Sequence, residues 1–146
     1  MFNHYSRKLI FPLLACAAAV AHADVVSVDD ARQLAADFFS ASSQDRLASA
    51  DALDLAYTCG TASRPIYYVF NAQDGQGYII VSADDCTTPV LGYSLEGRYD
   101  IAAVPPAMKW MMQGLESEIK AAPGLQRPVS RDERRRMAAR KVKLRE

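Results

Sequence analysis

Between Ile66 and Leu95 the apolar positions fall into three short runs, each closed by a polar turn. Ile66 to Phe70 is β-branched and aromatic, Tyr78 to Ser82 is the most apolar run after residue 23, and Val90 to Leu95 is the third. Runs of this length between turn signals predict strands. Gln73-Asp74-Gly75-Gln76-Gly77 turns the chain between the first two; its glycines can take the positive φ that hairpin loops need. Ala83 to Pro89, polar and ended by proline, turns it again. The three strands form an antiparallel meander, which is not stable bare and needs other elements over it.

The flanking sequence supplies those elements. Ser27-Val28-Asp29-Asp30 has the serine N-cap and acidic first turn of a helix start. Ala31, Leu34, Ala35, Phe38 and Phe39 follow at helical spacing, predicting a helix over 29–40 with its Leu/Phe face on the sheet. Ala41 to Ala50 is small and polar, a loop. Leu53, Leu55 and Tyr57 alternate with Asp54 and Ala56, and this period of two predicts a short fourth strand. Thr58 to Arg64 reads as a loop ended by Pro65. Glu96-Gly97 is a turn, and Arg98 to Ile101 a short extended piece.

Pro105-Pro106 suits a first helical turn, so a second helix is expected from there to about Ala121, before Pro123-Gly124. Met108, Met111, Met112, Leu115 and Ile119 mark its apolar face; Lys109, Gln113, Glu116 and Lys120 mark the other. Trp110 lies off the stripe. Such a tryptophan most often packs at the stripe's edge; the sharper reading is an exposed anchor for a partner, since tryptophan is enriched among interface hot spots. The last stretch, SRDERRRMAARKVKLRE, favours helix, but Met137, Val142 and Leu144 give it only a thin apolar face. A solvated or frayed helix is expected there; contact with an acidic partner, or with the domain's own acidic surface, is the alternative.

Residues 1–23 change the picture of where the protein works. Arg7 and Lys8 precede an apolar run from Leu9 to Val20 and then Ala21-His22-Ala23, the charged, apolar, small-x-small order of a secretory signal peptide. The run is too short for a comfortable membrane span. Cleavage after Ala23 and export to the periplasm or medium are expected. The rival is a lipoprotein, with Leu13-Leu14-Ala15-Cys16 as its processing site and Cys16 lipidated, the one route by which a membrane would become a partner. Cleavage after Ala23 removes His4 and His22 and leaves no histidine.

The charge, zero in sum, is unevenly spread. Residues 24–126 carry six Lys/Arg and fourteen Asp/Glu, residues 127–146 nine and three. An acidic domain over 24–126 therefore bears a basic tail over 127–146. Cys59 and Cys86 remain, and export would permit a disulfide. If residues 66 and 83 pair across the hairpin, position 63 lies opposite Cys86, with Cys59 four residues away; a bond and two free thiols both stay open.

Little here can do chemistry. Serine or cysteine nucleophiles usually need a base such as histidine. Two cysteines alone are no zinc site. Asp84-Asp85 lacks the ligand spacing and closing glutamate of a calcium loop and reads as turn chemistry. Gly75-x-Gly77 opens a strand and not a helix, so it cradles no phosphate. The tail lacks the interleaved aromatics of single-strand nucleic-acid binders and the apolar face of a membrane-surface helix. No enzyme activity, cofactor, metal or nucleic acid is expected, and no deep cleft.

YYVFN, then GQGYIIVSADD, then PVLGYSLEGRYDI, then the Pro-led helix AMKWMMQGLESEI together resemble the prodomain of streptopain-like cysteine peptidases, the module also known as the Spi-type protease inhibitor domain. The likeness runs from about Val26 to Ile119, is most specific from Tyr67 to Tyr99, and includes VDDARQLAADFF. It implies a small antiparallel sheet with helices packed on it, a module that covers a peptidase's active-site cleft. Some members of that family are separate chains acting in trans. No peptidase domain is expected beyond Glu146. In the zymogens the occluding segment precedes the last helix and carries an asparagine; the matching stretch here, Ala102 to Pro106, has alanines and prolines instead.

The expected fold is therefore α+β: a small antiparallel sheet of about four strands packed against two helices, with a basic C-terminal tail. The expected function is inhibition of a streptopain-like cysteine peptidase by steric occlusion, by a chain that is monomeric when free. Ala102, Val104, Pro105, Pro106 and Trp110 are the expected contact residues, the alternative being that 102–106 is only a strand-to-helix connector. A remnant prodomain or folding and secretion helper that binds without blocking, and a general cell-surface interaction module, are the other functions in view.

Overall fold

A computed structural model describes residues 24–42, 49–121 and 128–143. The predicted signal peptide, Cys16, Leu144 and most of the Ala41–Ala50 loop lie outside these residues. Four strands run β1 (Leu53–Thr61), β2 (Arg64–Ala72), β3 (Tyr78–Ser82) and β4 (Val90–Ser94). They form one sheet in chain order, every neighbour antiparallel. Helices α1 (Val28–Ser42), α2 (Pro106–Ala121) and α3 (Arg131–Lys143) complete an α+β fold.

Alternation along the strands sorts side chains onto two faces. Tyr68, Phe70, Ile79, Val81 and Val90 join Leu34, Phe38 and Phe39 of α1 in one core. Tyr67, Val69 and Ile80 join Cys59, Tyr99, Val104, Met112 and Ile119 in a second core, beneath α2. Strand β2 is buried from Pro65 to Asn71, which explains its unbroken apolar run: both faces of a covered strand need hydrophobic side chains. Ser27 caps α1, its Oγ accepting from the Asp30 amide at 3.1 Å.

The β2–β3 hairpin confirms the role expected of its glycines. Gly75 has φ 70° and Gly77 φ 116°. At Gly77 a Cβ would also lie 2.3 Å from the Ser94 carbonyl oxygen. Gly77→Ala should therefore destabilise the protein by more than about 2 kcal/mol, as strain and overlap add; chemical denaturation would read the loss.

Several elements differ from expectation. Thr58–Arg64 is not a loop: β1 continues to Thr61 and turns tightly into β2, with the Thr61 hydroxyl accepting from the Arg64 amide at 3.1 Å. The piece expected to be extended, Arg98 to Ile101, joins no strand: Gln76 bridges Gly97, and Ile101 already lies in the turn after Asp100. Met111 is not in the core but 44% exposed.

The largest difference is the basic tail. It is a third helix seated on the sheet side that α1 covers, and not a solvated appendage. Arg131 pairs with Asp30 of α1 at 2.9 Å and Arg135 with Asp37, so the domain's own acidic surface is its partner. Ala138 and Arg134 are buried beneath it, whereas Met137 is exposed. Lys141 Nζ donates to the Val90 carbonyl at 2.7 Å, satisfying one backbone acceptor on edge strand β4.

Candidate functional site

The loop between β4 and α2 is fixed at its root. Asn71, buried at the end of β2, donates from Nδ2 to the Tyr99 carbonyl at 3.0 Å and accepts the Tyr99 amide on Oδ1 at 2.8 Å. This pair satisfies two backbone groups that no strand neighbour reaches. Asp100 then makes a turn, its carboxylate accepting from the Ala102 amide and its carbonyl from the Ala103 amide. Val104 drops into the second core, and the Pro105 carbonyl accepts the Lys109 amide as α2 begins.

Between these fixed points Ile101, Ala102, Ala103, Pro105 and Pro106 are exposed. Trp110, one helical turn after Pro106 on the same face, is 78% exposed; it does not pack at the edge of the apolar stripe. Met111 stands beside it and lines an open groove of ≈ 400 Å³ against Tyr78, Ile80 and Gly92 of the sheet. Of the five expected contact residues, Ala102, Pro105, Pro106 and Trp110 are exposed, Pro106 and Trp110 on one face of α2. Val104 is not: its side chain is a core anchor that sets the path of its neighbours. Asn71, which does most to hold the loop, was missed. Its signal was a lone amide closing an aromatic strand, where only a buried partner makes asparagine tolerable.

The cysteines lie apart and free. Residues 66 and 83 do pair, the Ala83 amide donating to the Ile66 carbonyl at 2.9 Å. But because β1 stays in the sheet, Cys59 sits opposite Tyr67 in the second core, while Cys86 lies in the β3–β4 turn. Burial pushes the Cys59 thiol up, a hydrogen bond from Tyr67 working against it. Burial, with the Asp85 carboxylate, pushes Cys86 up to about 11. At pH 8 such a thiol is ionised in about one molecule in a thousand. Ellman's reagent should therefore find both cysteines inert in the native protein and both reactive in denaturant without reductant. A missing signal in denaturant would mean that they are bonded.

Asp84, Asp85 and Cys86 bring their ligating atoms within 4.8 Å of one another. Asp84 Oδ1 already accepts the Cys86 amide at 2.7 Å, and Asp85 Oδ1 accepts the Asp24 amide at 3.0 Å. The acids are engaged in shaping the turn, as the sequence suggested.

The chain matches the Spi protease inhibitor family over residues 23–119. Among curated proteins, the thiol protease/hemagglutinin PrtT of Porphyromonas gingivalis is 32% identical over 99 residues, 66% of this chain and 11% of that protein. The chain thus spans about a tenth of the length of that relative. No solved structure matches it.

Proposed function

Because this chain belongs to the Spi protease inhibitor family, we propose that it inhibits a streptopain-like cysteine peptidase by covering the active-site cleft, with no chemistry of its own. It does so after export, as a free monomer. The similarity to a thiol protease points to the kind of partner. The single observation that carries the docking surface is the loop pinned at Tyr99 and Val104, which presents small apolar residues beside a 78% exposed tryptophan. A loop already ordered loses little entropy on docking, and Pro105-Pro106 stiffen it further.

Gly114 extends this surface along α2. It lies one turn beyond Trp110, and a Cβ built there meets nothing within 4 Å. The fold therefore gives no reason for glycine in an exposed helix interior, where it costs about 1 kcal/mol relative to alanine. Close approach of a partner's backbone is a reason. Gly114→Ala should raise the unfolding free energy by about 1 kcal/mol and yet weaken inhibition; a stabler protein that inhibits equally well would remove Gly114 from the interface.

The proposal as a whole is tested by titrating a streptopain-like peptidase with residues 24–146 and following hydrolysis of a peptide substrate. Activity should fall linearly to zero near one equivalent. Full activity at micromolar excess would overturn it. Improved refolding of the peptidase without inhibition would instead favour a folding helper.

A further inference from the structure

Residues 24–26 are tied to the β3–β4 turn and to β2. The Asp24 amide donates to Asp85 Oδ1 at 3.0 Å, Val25 bridges Asp84, and the Val26 amide donates to the Ala83 carbonyl at 2.8 Å. The Tyr68 hydroxyl donates to the Val26 carbonyl at 3.0 Å. Chain starts are ordinarily loose unless something holds them. The Asp24 nitrogen held here is the one that cleavage after Ala21-His22-Ala23 would expose.

We infer that the Ala23–Asp24 bond is a processing site whose cleavage creates a structural ion pair between the Asp24 α-ammonium and the Asp85 carboxylate. Water adds across the amide under a signal-peptide-cleaving peptidase. Ala23 leaves as a carboxylate, and Asp24 keeps its nitrogen, which takes up a proton. An amide donating to a carboxylate becomes an ammonium donating to the same oxygen, a shorter and stronger contact. Asp85 suits this role because its other attachments hold it in place: its carbonyl accepts the Val129 amide at 3.0 Å, and the Arg134 guanidinium braces the same turn through the Asp84 carbonyl at 2.7 Å. The cut thereby fastens residues 24–26 to the β3–β4 turn.

This pair lies at the sheet end beside Ile66, Ala83 and the C-terminal turn of α2. The loop from Tyr99 to Pro106 enters α2 at its other end. The inference therefore stands independently of the inhibitory reading, and its failure leaves peptidase titration unaffected.

The test expresses the full chain in an export-competent bacterial host and measures the intact mass of the product. The mass should correspond to a chain beginning at Asp24. Two full-chain variants then follow: Asp85→Asn, and one with a glycine inserted between Ala23 and Asp24, which moves the new ammonium one residue away. The insertion should lower the melting temperature by about 3 °C in the parent and by less than about 1 °C in the Asp85→Asn background. Transamination of the α-amine of the purified parent, which removes its charge without altering the gene, should give the same loss. A product beginning at another residue overturns the inference. So does an equal effect of the insertion in both backgrounds, or a transaminated chain that melts with its parent.

Discussion

Arg134→Met should lower the unfolding free energy by about 3 kcal/mol, the largest loss expected from any single change in α3. The guanidinium donates to the carbonyls of Ser82 at 2.9 Å, Asp84 at 2.7 Å and, more weakly, Thr87 at 3.5 Å. Both Arg134 and Ser82 are buried. Burial pulls the guanidinium's pKa down, against the pull of Asp85, Asp84 and Cys86 in the other direction, so the charge already pays for its desolvation in the folded state. A buried ion pair can sometimes be replaced by two apolar residues at no loss. That route is closed here, because the partners are main-chain oxygens that no substitution removes. Methionine would fill the volume and strand those acceptors. Arg134→Lys should recover only part of the loss, since one ammonium cannot span the fork that the guanidinium fills. Urea denaturation of both variants beside Arg136→Ala, an exposed position expected to stay within about 0.5 kcal/mol, reads the effect. A loss below about 1 kcal/mol would mean that α3 is held by its other contacts, the two surface ion pairs, buried Ala138 and the Lys141–Val90 bond.

Arg134 also marks where reading the sequence stops working. The sheet was legible because its signal is apolar and periodic. Tyr68, Phe70, Ile79 and Val81 face one core and Val69 and Ile80 the other, and Tyr78–Ser82 was bounded to the residue. α1 and α2 were legible for the same reason. The helix of α3 was legible in its propensity, but its seat on the domain was not, because its packing face is an arginine and an alanine one turn apart, and hydropathy counts the first as surface and the second as neutral. What seats it is geometric: three carbonyls converging on one buried position. The acidic-body, basic-tail asymmetry did hold the needed signal, since Arg131 and Arg135 meet Asp30 and Asp37. Charge alone could not choose between an internal and an external partner. Cys59 shows the complementary limit. The 66–83 register was read correctly, but the fate of Cys59 depended on whether 58–61 stayed in the sheet, and the Pro65 that suggested a loop instead occupies the second position of β2. At the proposed docking surface the sequence placed Trp110 off the apolar stripe and the loop at 102–106. It could not see that Val104 turns inward, because a valine between two alanines and two prolines has no period to read.

Trp110→Ala should weaken inhibition of a streptopain-like peptidase by about 100-fold while leaving thermal stability within about 1 °C of the parent. The two halves of this expectation have one cause. At 78% exposure the indole contributes almost nothing to the core, so truncation costs the free protein little. The same exposure leaves most of its surface to be covered by a partner, and tryptophans buried at interface centres commonly cost 2–4 kcal/mol when truncated. A 100-fold change corresponds to about 2.7 kcal/mol, inside that range. Pro105→Ala removes only stiffness and a small contact and should cost severalfold at most. Met137→Ala removes another exposed side chain, 37% exposed and on α3 across the sheet from α2, and should leave inhibition unchanged. Val104→Ala should behave in the opposite way to Trp110→Ala. It opens space in the second core and lowers stability by about 2 kcal/mol, and any loss of inhibition should shrink when the assay is cooled. If Trp110→Ala and Met137→Ala inhibit as well as the parent, the peptidase is engaged by another surface, and the pinned loop is only the connection between β4 and α2.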